Sequence, residues 1–592
     1  MLSKRLDVLW YSHGLLDGGR PLVSRRDSLL SQDSAACSTP AVTQKTLSDT
    51  PLGLAYQLRK AVLWISVDRG TFWKCPGQHF FDESFWIRPS QDGALLLPKL
   101  EISPENRERP NIVLALVSTV EWINVEVLDP LIVCLLLGAG IWFTLRSRCL
   151  QLRLLPLAFR LLHRSFSARS DAGSGVSTFQ ALCTSLASHV GTSNLAGVAL
   201  AISLGGPGAV FWMWVMAVFG MATAFVENTL AQVYKTRAPD GSFRGGPAYY
   251  MEKALGQRWL GVIFSFLLMA AFGFSFNAVQ ANSVSAALAD AFGLPHLLSA
   301  LGLVVLSALV IFRGLHGITR FAAKVVPVMT LFYVAISLFI VLSSIDQLPA
   351  ILSLVVRSAF GLDHAVAGGA GYMVSQAIAQ GIRRGLFSNE AGMGSAPNLH
   401  ATATPSPAHP ATQGLVSMFS VFFDTLVICS ATAAIVLVSG VDYGGEQTGI
   451  VLTQAAMKAT LGDFGPAFIA ITSLLFGLTS VVANAFYGES SLRFISGKDR
   501  WIPFYRVLVL VMVSWGALTD LPAVWTMADF FMLLMALMNL VVILILSRQA
   551  FVVLDDFERE HKQGLNPVFL SRKLPNMGWR IDQDIWGDSK GQ

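Results

Sequence analysis

His189-Val190-Gly191-Thr192-Ser193-Asn194-Leu195-Ala196-Gly197 interrupts an apolar stretch long enough to form a membrane helix, and Phe387-Ser388-Asn389-Glu390-Ala391-Gly392-Met393-Gly394 interrupts another. The two share Ser-Asn-x-Ala-Gly, at Ser193 to Gly197 and at Ser388 to Gly392. A charge at the centre of a span costs roughly 3 kcal/mol unless it faces the protein interior. A helix broken within the bilayer must likewise find partners for its freed backbone groups in protein or in a cavity. Function is therefore to be sought at these two breaks.

Outward from them, apolar runs near the 20 residues a helix needs to cross a bilayer fall roughly at 128–146, 177–203, 208–234, 259–289, 297–313, 319–343, 366–394, 411–439, 464–488, 502–519 and 523–547. That is about eleven spans. None shows the ten-residue alternation of a barrel strand, so the chain reads as an all-α integral membrane protein. Composition agrees. Charged residues are only 14% of 592 while 53% are hydrophobic, and mean hydropathy is +0.54. A soluble enzyme spends about a quarter of its residues on charge. A net charge of +5 gives no nucleic-acid footprint. The six cysteines have no Cys-x-x-Cys spacing, which supports neither a disulfide framework nor a zinc site.

Basic residues orient the spans. Arg146, Arg148, Arg153, Arg160, Arg164 and Arg169 lie between the first two spans with no acid before Asp171, so this loop belongs in the cytoplasm. Alternating from there puts 17 basic residues on inside loops and only Arg357 and Lys458 outside. The N-terminus then faces out and the charged tail, residues 548–592, faces in, with the chain placed in the cytoplasmic (inner) membrane.

Counting from the second span, five helices and five helices form two halves of opposite orientation, 177–345 and 346–547, with a first helix and its basic loop (111–176) left over. One interrupted helix opening each half is a pattern of secondary transporters, in which half-helix N-termini hold a substrate carboxylate and freed carbonyls hold a coupling cation. Small residues also let helices pack closely, and that reading covers any single Gly or Ser. Glu227, Asp424, Glu489, Arg383 and Arg384 are the other charges in or at the ends of spans. Asp424, flanked by Phe423 and Thr425 in an apolar run, is the first candidate for a cation or gating role. Thr479 and Ser480 place two hydroxyls side by side in the ninth span, which suits sodium, a hard cation, although hydroxyls often bond back to their own helix.

Three blocks carry a family resemblance: Gly205-Gly206-Pro207-Gly208-Ala209-Val210-Phe211-Trp212-Met213-Trp214-Val215, Gly245-Gly246-Pro247-Ala248-Tyr249-Tyr250, and Arg384 to Ala396. Together they resemble the alanine or glycine:cation symporter family, over about residues 112–560. The resemblance implies a 5+5 inverted repeat of the leucine-transporter type plus one extra N-terminal helix, and sodium-driven import of a small neutral amino acid. Carried over by position, it implies that Gly191, Thr192, Ser193 and Asn194 receive the substrate carboxylate. Gln280, Phe387, Ser388, Asn389, Gly392 and Asn484 would complete the pocket. Thr479 and Ser480, with the carbonyls of Ala187 and Val190, would hold sodium. Ser193 stands where the family usually has glycine, and Asn484 where some members have tryptophan; both bear on the exact substrate. Sodium enters as co-substrate, and no cofactor is implied.

Alternatives are a proton-coupled transporter of a related amino acid, an ion channel and an intramembrane hydrolase. No repeated filter residues and no His-Glu-x-x-His occur, and no Gly-x-x-x-x-Gly-Lys-Ser/Thr loop points to a primary pump. Residues 1–110 lie outside the resemblance, carry no legible signal peptide, and are expected to be either disordered or the product of a start assigned too far upstream. No methionine separates Met1 from Met213, so a shorter product beginning near residue 112 would use a non-methionine start codon, with Val113 and Val117 as candidates. Deletion of residues 1–110 should leave uptake intact. N-terminal sequencing or intact mass of the native protein checks this, and loss of transport on deletion contradicts it.

Overall fold

The computed structural model describes residues 112–167, 176–362, 370–445, 447–573 and 580–587. The expectation for residues 1–110 lies outside the described residues. The first helix, α1, runs through Ile112–Ile123, a π-helical turn Asn124–Leu128, and Asp129–Arg146. In chain order follow α2 (Leu155–Ser167), α3 (Thr178–His189), α4 (Ala196–Gly205), α5 (Gly208–Val233), α6 (Pro247–Lys253), α7 (Arg258–Phe292), α8 (His296–Ile311) and α9 (Gly314–Ser343). Next come α10 (Leu348–Ala359), α11 (Ala370–Asn389), α12 (Pro397–His400), α13 (Pro410–Val438), α14 (Gly449–Leu461), α15 (Phe464–Ser496), α16 (Ile502–Leu518) and α17 (Leu521–Lys562). Among the described residues the β structure is two pairs of two-residue strands. β1 (Val176–Ser177) lies parallel to β4 (Ala403–Thr404), and β2 (Thr236–Arg237) antiparallel to β3 (Phe243–Arg244).

Eight helices among the described residues are long and apolar enough to cross a membrane: α1, α5, α7, α9, α13, α15, α16 and α17. The other three expected spans fall on segments with a physical reason to differ. Residues 178–205 are split between α3 and α4, α8 has only 16 residues, and α11 carries Gln376, Gln380, Arg383 and Arg384.

Segments read as loops turn out to be partly helical. α2 sits in the basic stretch after α1 with Phe159 and Phe166 exposed beside Arg160 and Arg164, the make-up of a helix lying in a membrane interface. α17 continues well past residue 547, and the chain beyond it folds back. Trp586 donates its Nε1 hydrogen to the Gln232 carbonyl at 3.0 Å. Lys235 donates to the Ala403 carbonyl between the rings of Phe243 and Trp586, and burial pushes its ammonium down to about 7.

α3 begins with a capping box, Ser177 Oγ accepting from Gln180 N and Gln180 Oε1 from Ser177 N, both at 3.1 Å. It stops because Val190 leaves helical geometry (φ −80°, ψ 70°) and Gly191 is extended. The second break follows Asn389: Glu390 adopts φ 54° and Gly392 φ 90°. The left-handed region costs a residue with a Cβ about 1 kcal/mol, so Glu390 must be held there by its side chain.

Candidate substrate and cation site

The two breaks face each other across Asp424. That residue lies in a π-helical turn of α13, Phe422–Cys429, the kind of helix irregularity that concentrates at functional sites. Its Oδ1 accepts from Asn194 Nδ2 at 2.6 Å, and its Oδ2 accepts from Ser388 Oγ at 2.5 Å and from Thr425 Oγ1 at 3.0 Å. Asn194 and Ser388 are the two Ser-Asn-x-Ala-Gly motifs' contributions, one from each break. All three residues are fully buried. A buried carboxylate is tolerated only with such donors or a cation against it.

The backbone N–H groups of the two breaks end on different partners. At the first, Gly191 N donates to Asn194 Oδ1 at 3.2 Å, while Thr192 N and Oγ1 both donate to Gln280 Oε1 at 2.8 Å. These acceptors are neutral amides. At the second, Gly392 N donates to the Glu227 carboxylate at 3.2 Å, and Asn539 donates to both Glu227 Oε2 and the Gly392 carbonyl. The Glu390 carboxylate is held by the hydroxyls of Ser188 and Ser395, which fixes its left-handed backbone. The second break's Gly392 N–H is thus already taken by a carboxyl group of the protein, whereas the first presents donors that an incoming carboxylate could take from an amide.

Gly191 is required by close approach: a Cβ there would lie 2.6 Å from Ser480 Oγ and 2.9 Å from the Gln280 amide. Ser480 Oγ donates to the Ala187 carbonyl at 2.8 Å, bringing together α15 and the end of α3, two members of the expected cation set. Ser480 Oγ also lies 2.9 Å from the Phe476 carbonyl of its own helix, and Thr479 returns its hydroxyl to the Leu475 and Phe476 carbonyls. Val190, where α3 ends, contributes a carbonyl no longer in the helical ladder. Phe387 stacks on Phe276 with centroids 4.0 Å apart and planes 2° apart. Asn484 accepts from Ser188 Oγ at 2.6 Å and donates to Asn277 at 3.1 Å. Ser193 Oγ donates to Asn194 Oδ1. Asn389 and Gly392 serve the second break itself, Asn389 Oδ1 accepting from Ala391 N at 3.0 Å. Phe276, Trp525, whose ring lies 4.9 Å from that of Phe387, and Glu227 lie against the two breaks, and sequence reasoning did not place them in the candidate pocket. Two of them are common aromatics in apolar runs, which carry no local signal, and Glu227 offered only its charge. Glu489 is paired with Arg493 and Arg506 at one end of α15.

Residues 113–571 match the sodium:alanine symporter family. The chain belongs to that family. It is 46% identical over 457 residues to the amino-acid carrier protein AlsT of Bacillus subtilis (strain 168), covering 77% of this chain and 95% of AlsT. It is also 46% identical to the probable sodium/glutamine symporter GlnT of the same organism, covering 75% and 91% of the two chains. The sodium/alanine symporter AgcS of Methanococcus maripaludis is 40% identical, over 73% of this chain and 95% of AgcS. As a member of the sodium:alanine symporter family, the chain is a multi-pass membrane transporter and not an enzyme.

Proposed function

We propose that this protein is a secondary active symporter in which sodium, moving down its gradient, carries a small neutral amino acid such as alanine or glycine into the cell. The observation that carries the reading is the inequality of the two breaks. The first offers the Gly191 and Thr192 N–H groups and the Thr192 hydroxyl to neutral amide oxygens, and a substrate carboxylate is a stronger acceptor for all of them. At the second break the Gly392 N–H is already held by the Glu227 carboxyl group, so that donor is not free for a substrate. The Ser480 hydroxyl and the Ala187 and Val190 carbonyls supply hard oxygen ligands beside it, with Thr479 adjoining. The two halves 177–345 and 346–547 act as an inverted repeat around this site, with the N-terminus outside and the α17 extension in the cytoplasm. A membrane potential of about 100 mV is worth roughly 2.3 kcal/mol per charge, so one sodium ion supports tens-fold accumulation.

The aromatic wall of Phe387 and Phe276 encloses a short side chain. Leucine and phenylalanine should therefore compete poorly with labelled alanine or glycine, and equal competition by leucine counts against the pocket. Ser193→Gly removes a hydroxymethyl beside the ligand and should be tolerated, shifting preference toward the larger of the accepted substrates. Competition assays on the variant check this; an unchanged order of preference would place Ser193 away from the substrate.

A further inference from the structure

Arg383 and Arg384 are charges that the binding site leaves unused. Arg383 lies buried between the carboxylates of Asp129 in α1 and Asp529 in α17, and Arg384 closes on Asp529 at 2.6 and 3.0 Å. Two cations and two anions make the cluster neutral, and removing one partner leaves a buried charge uncompensated. The cluster is also joined to the pocket. The Arg384 guanidinium lies 4.5 Å over the Trp525 ring, Trp525 is 4.9 Å from Phe387, and a Cβ on Gly197 would be 3.4 Å from the indole. α1 grips α17 immediately beside this point. Asn124, in the π-helical turn that precedes Asp129, donates to the Thr526 carbonyl at 3.0 Å, and Thr526 Oγ1 donates to Glu121 at 2.6 Å.

We propose that Asp129 makes α1, the helix outside the repeat, part of the outer gate: Asp129 and Asp529, toward the outer ends of their helices, latch the C-terminal half of α11 just before the break through Arg383 and Arg384, and substrate enters only when that latch opens. The placement on the outer side rests on the orientation given above. A buried ion-pair network suits a gate because its gain when closed is close to what its charges regain from water when open. Neither state is then strongly trapped. The contact series from Arg384 through Trp525 to Phe387 lets a seated substrate favour closure. Asp129 acts here as a positioning residue, without touching substrate.

Cys429, buried against Asn194 and Ser388, is the natural reporter. In a chain whose other five cysteines are replaced by serine, a membrane-impermeant methanethiosulfonate is applied from outside and the rate of Cys429 labelling is followed. Asp129→Asn should raise that rate about fivefold by shifting the population toward the outward-open state. Arg383→Asp should do the same, and combining it with Asp129→Arg should return the rate toward the parent's. Labelling of Asp129→Asn at the parental rate, or acceleration only from the cytoplasmic side, would overturn the latch. Should Asp129→Asn not reach the membrane, the swapped pair is scored against Arg383→Asp alone, and equal rates in those two overturn it. Labelling does not require transport. Faster labelling in the variants of a parent that takes up no amino acid would sink the symport reading and leave the latch standing.

Discussion

Asp424→Asn should lower sodium-driven amino-acid uptake by more than about tenfold while the protein still inserts in the membrane. The carboxylate receives donors on both oxygens, from Asn194 on one and from Ser388 and Thr425 on the other. An asparagine keeps the shape but turns one acceptor into an NH2 group facing hydroxyl or amide hydrogens. It also removes the negative charge that a cation, or the substrate ammonium, would meet where the two breaks converge. A donor pointed at donors in a buried site costs about 1–3 kcal/mol, enough to disorganise Asn194 and Ser388 together. Uptake by reconstituted protein, normalised to inserted protein, is the measurement. Normal transport by Asp424→Asn would make Asp424 a structural residue.

Ser480→Ala should raise the sodium concentration for half-maximal uptake more than about tenfold, because an alkyl group has no lone pair to offer a hard cation. The Ser480 hydroxyl reaches the Ala187 carbonyl of α3 as well as the Phe476 carbonyl of its own helix, whereas both backbone acceptors of Thr479 belong to its own helix. Thr479→Val should therefore have the smaller effect. Unchanged sodium dependence in both variants would remove the site assignment, and the symport itself could survive that result.

The two breaks were legible because glycine, serine and asparagine in an apolar run conflict with the local demand for continuous helix. Asp424 was legible for the same reason, as a charge without an aqueous explanation. What it pairs with was not, since Asn194 lies 230 positions away and no local periodicity encodes which polar group meets which. Arg383 and Arg384 were legible only as charges in or at the end of a span, and Asp129 and Asp529 became their partners through the packing of α1 and α17. α10 and α14 were hidden in connecting segments because neither is long enough to give a span signal. The different capping of the two breaks depends on Glu227 and Gln280, both visible as polar residues in apolar spans, but which break each would meet is set by packing alone.

Uptake of labelled alanine into proteoliposomes, with and without an inward sodium gradient, tests the central claim most directly. Saturable accumulation above equilibrium only with the gradient, competed by glycine and poorly by leucine, is the expected result; uptake that neither saturates nor responds to the sodium gradient would contradict it.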